Sequence, residues 1–433
     1  MAQSRLSRRA VAGLAGVVAM LAPTLGHARS FGPFGARIGE DLAAYDGFGW
    51  MRSGGQGDAR ATDWLERRLR EAGYATTRQA LDLPFFEVSD ARFTVGGRQI
   101  ACEAQPPSGV TGEGGVTAPL VDASDSQAAA PVHGKIALVV LPFARHSSLG
   151  VAGVARLREL EAAGCAGVIM VTVGPSGEPI VFNVPHDFDL ARLPVMAVAS
   201  HDVAALQAAA RGGESATLIV RGAKGRRPAY NLIATAGPPG SAGLVLSTPK
   251  SGWFNCAAER GPGVSAFLAL AEWAARALPR HPKTLIATSG HEFENHGAQL
   301  FLDERAPRPD RVRLWVHLGA GFGARDYHDG PRGVVSALPS ADPQRFLVAG
   351  ETLQLLASRA FAGLIGLERV YPDGERTAGE LRHIKAAGYK NAIGVFGAHR
   401  FHHTRVDRLD KTGADLVRPV AAAFREVIAQ TLR

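Results

Sequence analysis

The sequence predicts an α/β protein: a mixed β-sheet covered by helices on both faces, with a second, smaller α/β domain inserted into it. Three observations carry this expectation. Apolar strand-like runs alternate with amphipathic helical runs along most of the chain. These runs fall into groups bounded by Gly-rich "TGEGG" and basic "RGAKGRRP", as the edges of an insertion would be. A length of 433 residues, 46% hydrophobic and 20% charged, suits a globular chain larger than one ordinary core.

The first 28 residues read as an export signal, with a basic start, an apolar Ala/Val/Leu/Gly run and a small-x-small cleavage pattern ending at Ala28. The pair Arg8-Arg9 ahead of a weakly apolar run points to the twin-arginine route, the alternative being an ordinary secretory signal. Either route places the mature protein in the periplasm or outside the cell. No later run is long and apolar enough to span a bilayer. Removing Arg5, Arg8 and Arg9 lowers the formal charge by three, from +8 to +5. The remaining arginines are scattered, with no aromatic-interleaved basic stripe, which argues against nucleic acid as a partner. Three cysteines, Cys102, Cys165 and Cys256, allow one disulfide at most, so disulfides do not hold the fold together.

Residues 29–110 are expected to form the first part of the main domain, opened by the helix "ATDWLERRLREAGY", whose Trp64, Leu65, Leu69 and Ala72 share a face before the stop at Gly73. Residues 111–225 read as the insertion: strand "HGKIALVVL", helix "VARLRELEAAGC", strand "AGVIMVTV", then a strand running into a helix in "LPVMAVASHDVAALQAAARGG". Residues 226–433 complete the main domain with strands "YNLIATA", "GLVLSTP", "TLIATSG", "RVRLWVHLGAG" and "NAIGVFG", a long helix "GVSAFLALAEWAARAL" and a closing helix "GADLVRPVAAAFREVIAQTL".

Sheets of this kind place ligands at the carboxyl ends of their strands. Polar clusters fall at four such ends: Thr248 to Ser251, His291 and Glu292, His317, and His399 to His403. A lone histidine after a strand is ordinarily structural, whereas four convergent clusters point to a site. In "GHEFENHG", His291 and His296 are five residues apart, so this is not the i, i+4 histidine pair that grips zinc from one helix face. Ser251 and Cys256 lie near the expected pocket, but neither sits in a nucleophile motif.

The order of elements, together with "RSGGQGDARATDWLERRLREAGY" near the start and "FHHTRVDRLDK" near the end, resembles the zinc aminopeptidases and carboxypeptidases, a family that includes leucyl aminopeptidases, glutamate carboxypeptidase and the single-zinc glutaminyl cyclases. The segment from Val132 to Thr172 resembles the protease-associated domain often inserted in them. The resemblance implies a site for two zinc ions, and this sequence departs from it. Thr248 and Lys250 stand where a ligand histidine and its orienting aspartate belong. Glu259 stands at the bridging aspartate, and His291-Glu292 at the pair of base and ligand. His317 is the metal-capable residue nearest the next ligand position, and His403 matches the last ligand.

The resemblance therefore implies at most one zinc ion, or none, with Glu259, Glu292 and His403 as ligands and His317 nearby. His291 takes the place of the general base, and Lys250 or Arg260 supplies the positive charge opposite a developing oxyanion. Charge supports the limit. Glu259, Glu292 and Glu380 give three negatives against Lys250 and Arg260, too few to balance two divalent ions in a buried site. A metal-free pocket in which Lys250 pairs with Glu292 or Glu259 satisfies the same count. The expected function is hydrolysis of an amide or peptide bond in a peptide or small amide substrate. The alternatives are a degenerate peptidase fold that binds ligands without cleaving them, and a single-metal acyl-transfer or cyclising enzyme.

Overall fold

Two strands far longer than the usual five or six residues organise the molecule. Ala75–Val95 and Ser215–Ala236 pair antiparallel from Ala75 opposite Thr235 to Val95 opposite Ala216, with one irregularity between Val88 and Asp90. The computed structural model describes residues 33–433 except 126–130, 146, 191 and 241 and the side chain of 332, and Phe34–Arg433 forms one compact unit. The expected export segment, with Arg8 and Arg9, lies outside the described residues. Among the described residues, no helix is long and apolar enough to cross a membrane.

One end of Ser215–Ala236 joins the main sheet, where it pairs antiparallel with Lys283–Thr288. From there the order runs through Gly243–Pro249, Val312–Leu318 and Ala392–Gly397 to Arg345–Ala349 and Val370–Pro372. The four strands from Lys283–Thr288 to Ala392–Gly397 are mutually parallel, while Arg345–Ala349 runs antiparallel to its neighbour, so the sheet is mixed. Every residue of Gly243–Pro249 is buried, which its unbroken apolar run requires of a central strand covered on both faces. One face carries the helices Ile38–Gly47, Gln56–Glu71, Gly261–Ala277 and Ala414–Thr431 through Leu42, Leu65, Phe267 and Phe424. The other face carries His296–Glu304 and Gly379–Ala386 through Phe301, Leu381 and Ile384.

The opposite end of Ser215–Ala236 pairs with Val116–Asp122, which continues in parallel through Ile136–Val140, Gly167–Thr172 and Val195–Ala199. The helices Gly150–Ala162 and Val203–Gly212 complete this smaller layer, as the sequence pattern predicts. The basic segment around 225 differs from expectation. Read as an edge of the insertion, it lies inside a strand: Ser215–Ala236 passes through "RGAKGRRP" without a break, paired to the stretch from Asp82 to Asp90 opposite. Pairing supplies the backbone hydrogen bonds, and Lys224, Arg226 and Arg227 pair with Asp189, Asp82 and Glu87. The insertion thus shares its sheet with the main domain.

Candidate active site

The parallel strands end at Pro249, Thr288, Leu318 and Gly397, and the polar clusters expected there do converge. Their side chains sort into three groups.

The first group surrounds Lys250. Its ammonium is fully buried and bonds the carboxylate of Asp58 and, at 2.6 Å, the Ser289 hydroxyl. Ser289 in turn donates to Asp58 at 2.9 Å, and the Gly54 amide reaches the other carboxylate oxygen at 3.1 Å. The expected pairing of Lys250 with Glu259 or Glu292 is therefore corrected. Asp58 comes from the helix Gln56–Glu71, 192 residues away in sequence, and is brought in by the packing of that helix on the sheet. Thr248 donates to the Leu318 carbonyl at 2.9 Å and ties two strands together.

Glu292 is held just as firmly. One carboxylate oxygen accepts from the Ser53 amide at 2.6 Å and the other from the Ser251 hydroxyl at 2.7 Å. Burial raises its pKa above the ordinary carboxylate value, and these two donors oppose the rise. Ser251, so engaged, is a clamp rather than a free hydroxyl. Cys256 is fully buried, and burial pushes its thiol well above the usual range, so it remains protonated.

The second group is the pair Glu259–Arg260 at the start of Gly261–Ala277, with His402 and His403 beside it. An Arg260 guanidinium nitrogen lies 2.6 Å from Glu259 Oε1, and His403 Nε2 lies 3.2 Å from the same oxygen. Burial works to raise the Glu259 carboxyl, but Arg260, His403 and His402 override it and hold the group well below the ordinary value. Asp407 orients this loop by accepting from the Ala258 and Glu259 amides at 2.8 and 3.0 Å. His403 adopts a left-handed backbone (φ 59°), a strained conformation for a residue with a side chain.

Many polar atoms here have no hydrogen-bond partner among the described residues although they are fully buried: both Glu259 oxygens, both terminal nitrogens of Arg260, and Nδ1 of His402 and of His403. The Glu259–Arg260 contact is one of charge, without an aligned hydrogen bond. A group of three residues, Glu259, His402 and His403, offers ligand atoms that all lie within 4.8 Å of one another. Two imidazoles and a carboxylate, buried and unpartnered, are a donor set of the kind zinc takes. Glu292 and His317, expected beside this set, are not among its three residues: Ser53 and Ser251 hold both Glu292 oxygens, and Ser247 meets His317 Nδ1.

The third group joins His291, His317 and Glu380. His291 Nδ1 lies 3.2 Å from Glu380 Oε1, which also accepts from Thr288 at 2.6 Å. His317 Nδ1 meets the Ser247 hydroxyl at 2.9 Å, and Trp315 donates to that hydroxyl at 2.8 Å. Burial holds the His291 imidazole well below its ordinary pKa and pushes His317 down to about 4, so both are neutral at pH 7. Both line a cavity of about 330 Å³ that His402 also reaches.

Charge balance changes once Lys250 is seen to be neutralised by Asp58. Four buried carboxylates, Glu259, Glu292, Glu380 and Asp407, then stand against the single guanidinium of Arg260. This net surplus suits one divalent ion and falls short of the charge of two. The sequence missed Asp58, Ser53 and His402. His402 was in view as the neighbour of His403 in "FHHTRVDRLDK", and Asp407 in the same stretch, but Asp58 carried no local signal.

The chain has the fold of the zinc aminopeptidases with a PA domain inserted in it. The family model described as the PA domain matches residues 116–206. A zinc aminopeptidase from Bacillus subtilis superposes with a TM-score of 0.70 at 17% identity, covering 92% of this chain and 95% of that one. An aminopeptidase from Aneurinibacillus sp. gives 0.63 at 18% identity over 92% and 95%, and a peptidase precursor from Shewanella amazonensis 0.71 at 18% over 92% and 93%. No curated protein matches the chain in sequence.

Proposed function

We propose that this chain hydrolyses an amide bond in a peptide or small amide, with at most one divalent ion held by Glu259, His402 and His403. The observation that carries the reading is the cluster of buried, unpartnered donors around Glu259, next to the cavity that His291 lines. Buried polar atoms are nearly always satisfied, and a set left open together is a binding site. An ion in that set would supply Lewis-acid polarisation of the scissile carbonyl.

The remaining steps belong to the chain. His291 is neutral, and a proton on Nδ1 directed at Glu380 leaves Nε2 free to accept one from an attacking water. Glu380 fixes the ring and stabilises the imidazolium that forms. Arg260, with two unpartnered terminal nitrogens, faces the negative charge developing on the carbonyl oxygen. The proposed location is periplasmic or secreted, on the strength of the export signal read in residues 1–28.

A second reading, a ligand-binding protein without hydrolysis, is favoured by one observation. Arg260 already provides a cation 2.6 Å from Glu259, where an ion's charge would act. Metal analysis of protein purified without a polyhistidine tag, followed by assay on a panel of amides and esters, separates the two. The hydrolase reading expects one equivalent of zinc, its loss in Glu259→Gln, and turnover slowed about 10²- to 10⁴-fold by His291→Ala with metal retained. Two equivalents would overturn the charge balance. No metal and no turnover on any substrate would leave the binding protein.

A further inference from the structure

The cavity beside His291 carries polar groups that the proposed chemistry does not use. Asn183 and Asn295 line it, are 7% and 5% exposed, and each has a buried side-chain oxygen without a hydrogen-bond partner. Glu294 and Asn295 are consecutive residues with left-handed backbone, φ 52° and 67°, and both side chains reach this cavity. Such strain in residues with side chains persists only where the surroundings enforce it, and it concentrates at ligand sites. The Gly297 that follows cannot be replaced, since a Cβ there would meet the Ser289 carbonyl at 1.9 Å.

A cation completes the lining. Arg382, on the helix Gly379–Ala386, is exposed at the cavity and makes no hydrogen bond or ion pair with any described residue. The acid on the same lining, Glu294, is engaged by the Ser148 hydroxyl. Other arginines of this region are committed: Arg145 to Asp342, Arg400 to Asp329, and Arg376 to the rings of Phe346 and Tyr371. Phe346 and Phe396, stacked at 5.4 Å, form an apolar wall.

The insertion supplies one wall of the cavity. Asn183 and Ser148 belong to it, and its backbone is tied to the site by hydrogen bonds from Val184 to the Glu292 carbonyl at 3.0 Å and from Val181 to the His403 carbonyl at 3.2 Å. With a volume of about 330 Å³, the space lies at the lower end of the range for ligand pockets, about 300–1,000 Å³.

The geometry points to a subsite for a short peptide carrying a free carboxylate, which Arg382 meets while Asn183 and Asn295 accept its N–H groups and the aromatic wall takes an apolar side chain. This rests on the proposed function for its place beside the reacting bond, but binding itself does not require turnover. The carboxylate is either the peptide's terminus or an acidic side chain.

Calorimetry on the chelator-treated full chain tests the subsite, using the dipeptide Ala-Phe, its C-terminal amide, and the amide of Ala-Glu. A charge-assisted bond to guanidinium is expected to make Ala-Phe bind about tenfold more tightly than its amide, a 1.4 kcal/mol difference. Arg382→Gln should abolish that preference, whereas Asn183→Ala should weaken acid and amide alike. Ala-Glu amide binding more tightly than both Ala-Phe and its amide would assign the carboxylate to a side chain, and Ala-Phe binding more tightly than both amides would assign it to the terminus. Equal binding of all three ligands, a preference for the carboxylate that survives Arg382→Gln, or no binding of any of the three would overturn the subsite. Acid-selective binding here, with no turnover of the amide and ester panel by the untreated protein, would retain the subsite and remove the hydrolase reading; turnover by the untreated protein without acid-selective binding would do the reverse.

Discussion

Two buried cation–carboxylate pairs lie within this site, and they are built in opposite ways. In Lys250–Asp58 the ammonium meets a carboxylate and the Ser289 hydroxyl, and the carboxylate receives further bonds from Ser289 and the Gly54 amide. In Glu259–Arg260 both carboxylate oxygens and both terminal guanidinium nitrogens lack a hydrogen-bond partner. The first pair is closed and has the character of a structural lock. The second is open, with bonding capacity left for something that is not the protein. Burial therefore does not separate structural ions from functional ones; the count of unmade hydrogen bonds does.

The largest effect that bears on this contrast is the loss of one partner of the closed pair. Asp58→Asn leaves a fully buried ammonium without its counter-ion and is expected to cost about 3–5 kcal/mol in denaturant unfolding. Replacing both partners together, Lys250→Met with Asp58→Leu, should recover most of that loss. Glu259→Gln, in the open pair, should cost less than Asp58→Asn. Equal costs for Asp58→Asn and Glu259→Gln would erase the distinction between lock and site.

The third group sharpens the contrast through pH. Burial lowers His317 to about 4 in the folded chain, against about 6.5 when unfolded. The unfolded chain therefore takes up the proton first on acidification. The stability His317 allows is fully present above pH ~6.5 and is lost progressively as the pH falls to about 4. For chelator-treated protein, the loss over that window is about 3 kcal/mol from this residue. In His317→Gln the slope of unfolding free energy between pH 6.5 and 4 should flatten by that amount; an unchanged slope would show that other groups control it.

The smallest effect concerns the hydroxyl that closes the lock. Ser289→Ala removes the bonds to Lys250 and Asp58 but leaves their charges paired, and a loss of about 1–2 kcal/mol is expected. A loss as large as that of Asp58→Asn would mean that the hydroxyl, and not the charge pairing, holds Lys250 in place.

Most of the architecture was legible because it follows from local periodicity. The central strand "GLVLSTP", the helix "GVSAFLALAEWAARAL" and the strands Ile136–Val140, Gly167–Thr172 and Val195–Ala199 of the insertion each announce themselves by apolar runs or a helical face, whereas Val116–Asp122 does not. The continuous strand Ser215–Ala236 was hidden because its middle, "RGAKGRRP", is polar and glycine-containing, and only the partner strand Ala75–Val95 keeps it extended. In the site, the strand-end positions of His291, Glu292, His317 and His403 could be read from the chain, while Glu259 was placed by the family resemblance and Arg260 by its neighbour. Their partners could not.

The sequence by itself determined the mixed α/β sheet, the inserted layer and the gathering of polar residues at the carboxyl ends of parallel strands. Tertiary structure alone decided which charges meet. Glu259 and Arg260 are neighbours in the chain, yet Lys250 finds Asp58 across 192 residues, His291 finds Glu380 across 89, and Ser53 and Ser251 capture Glu292. Backbone periodicity is set by interactions over a few residues and is written in any short window. The aim of a buried side chain is set by whichever element packs against it, and in a low-dielectric interior that choice fixes which ions are neutralised and which remain open to a ligand.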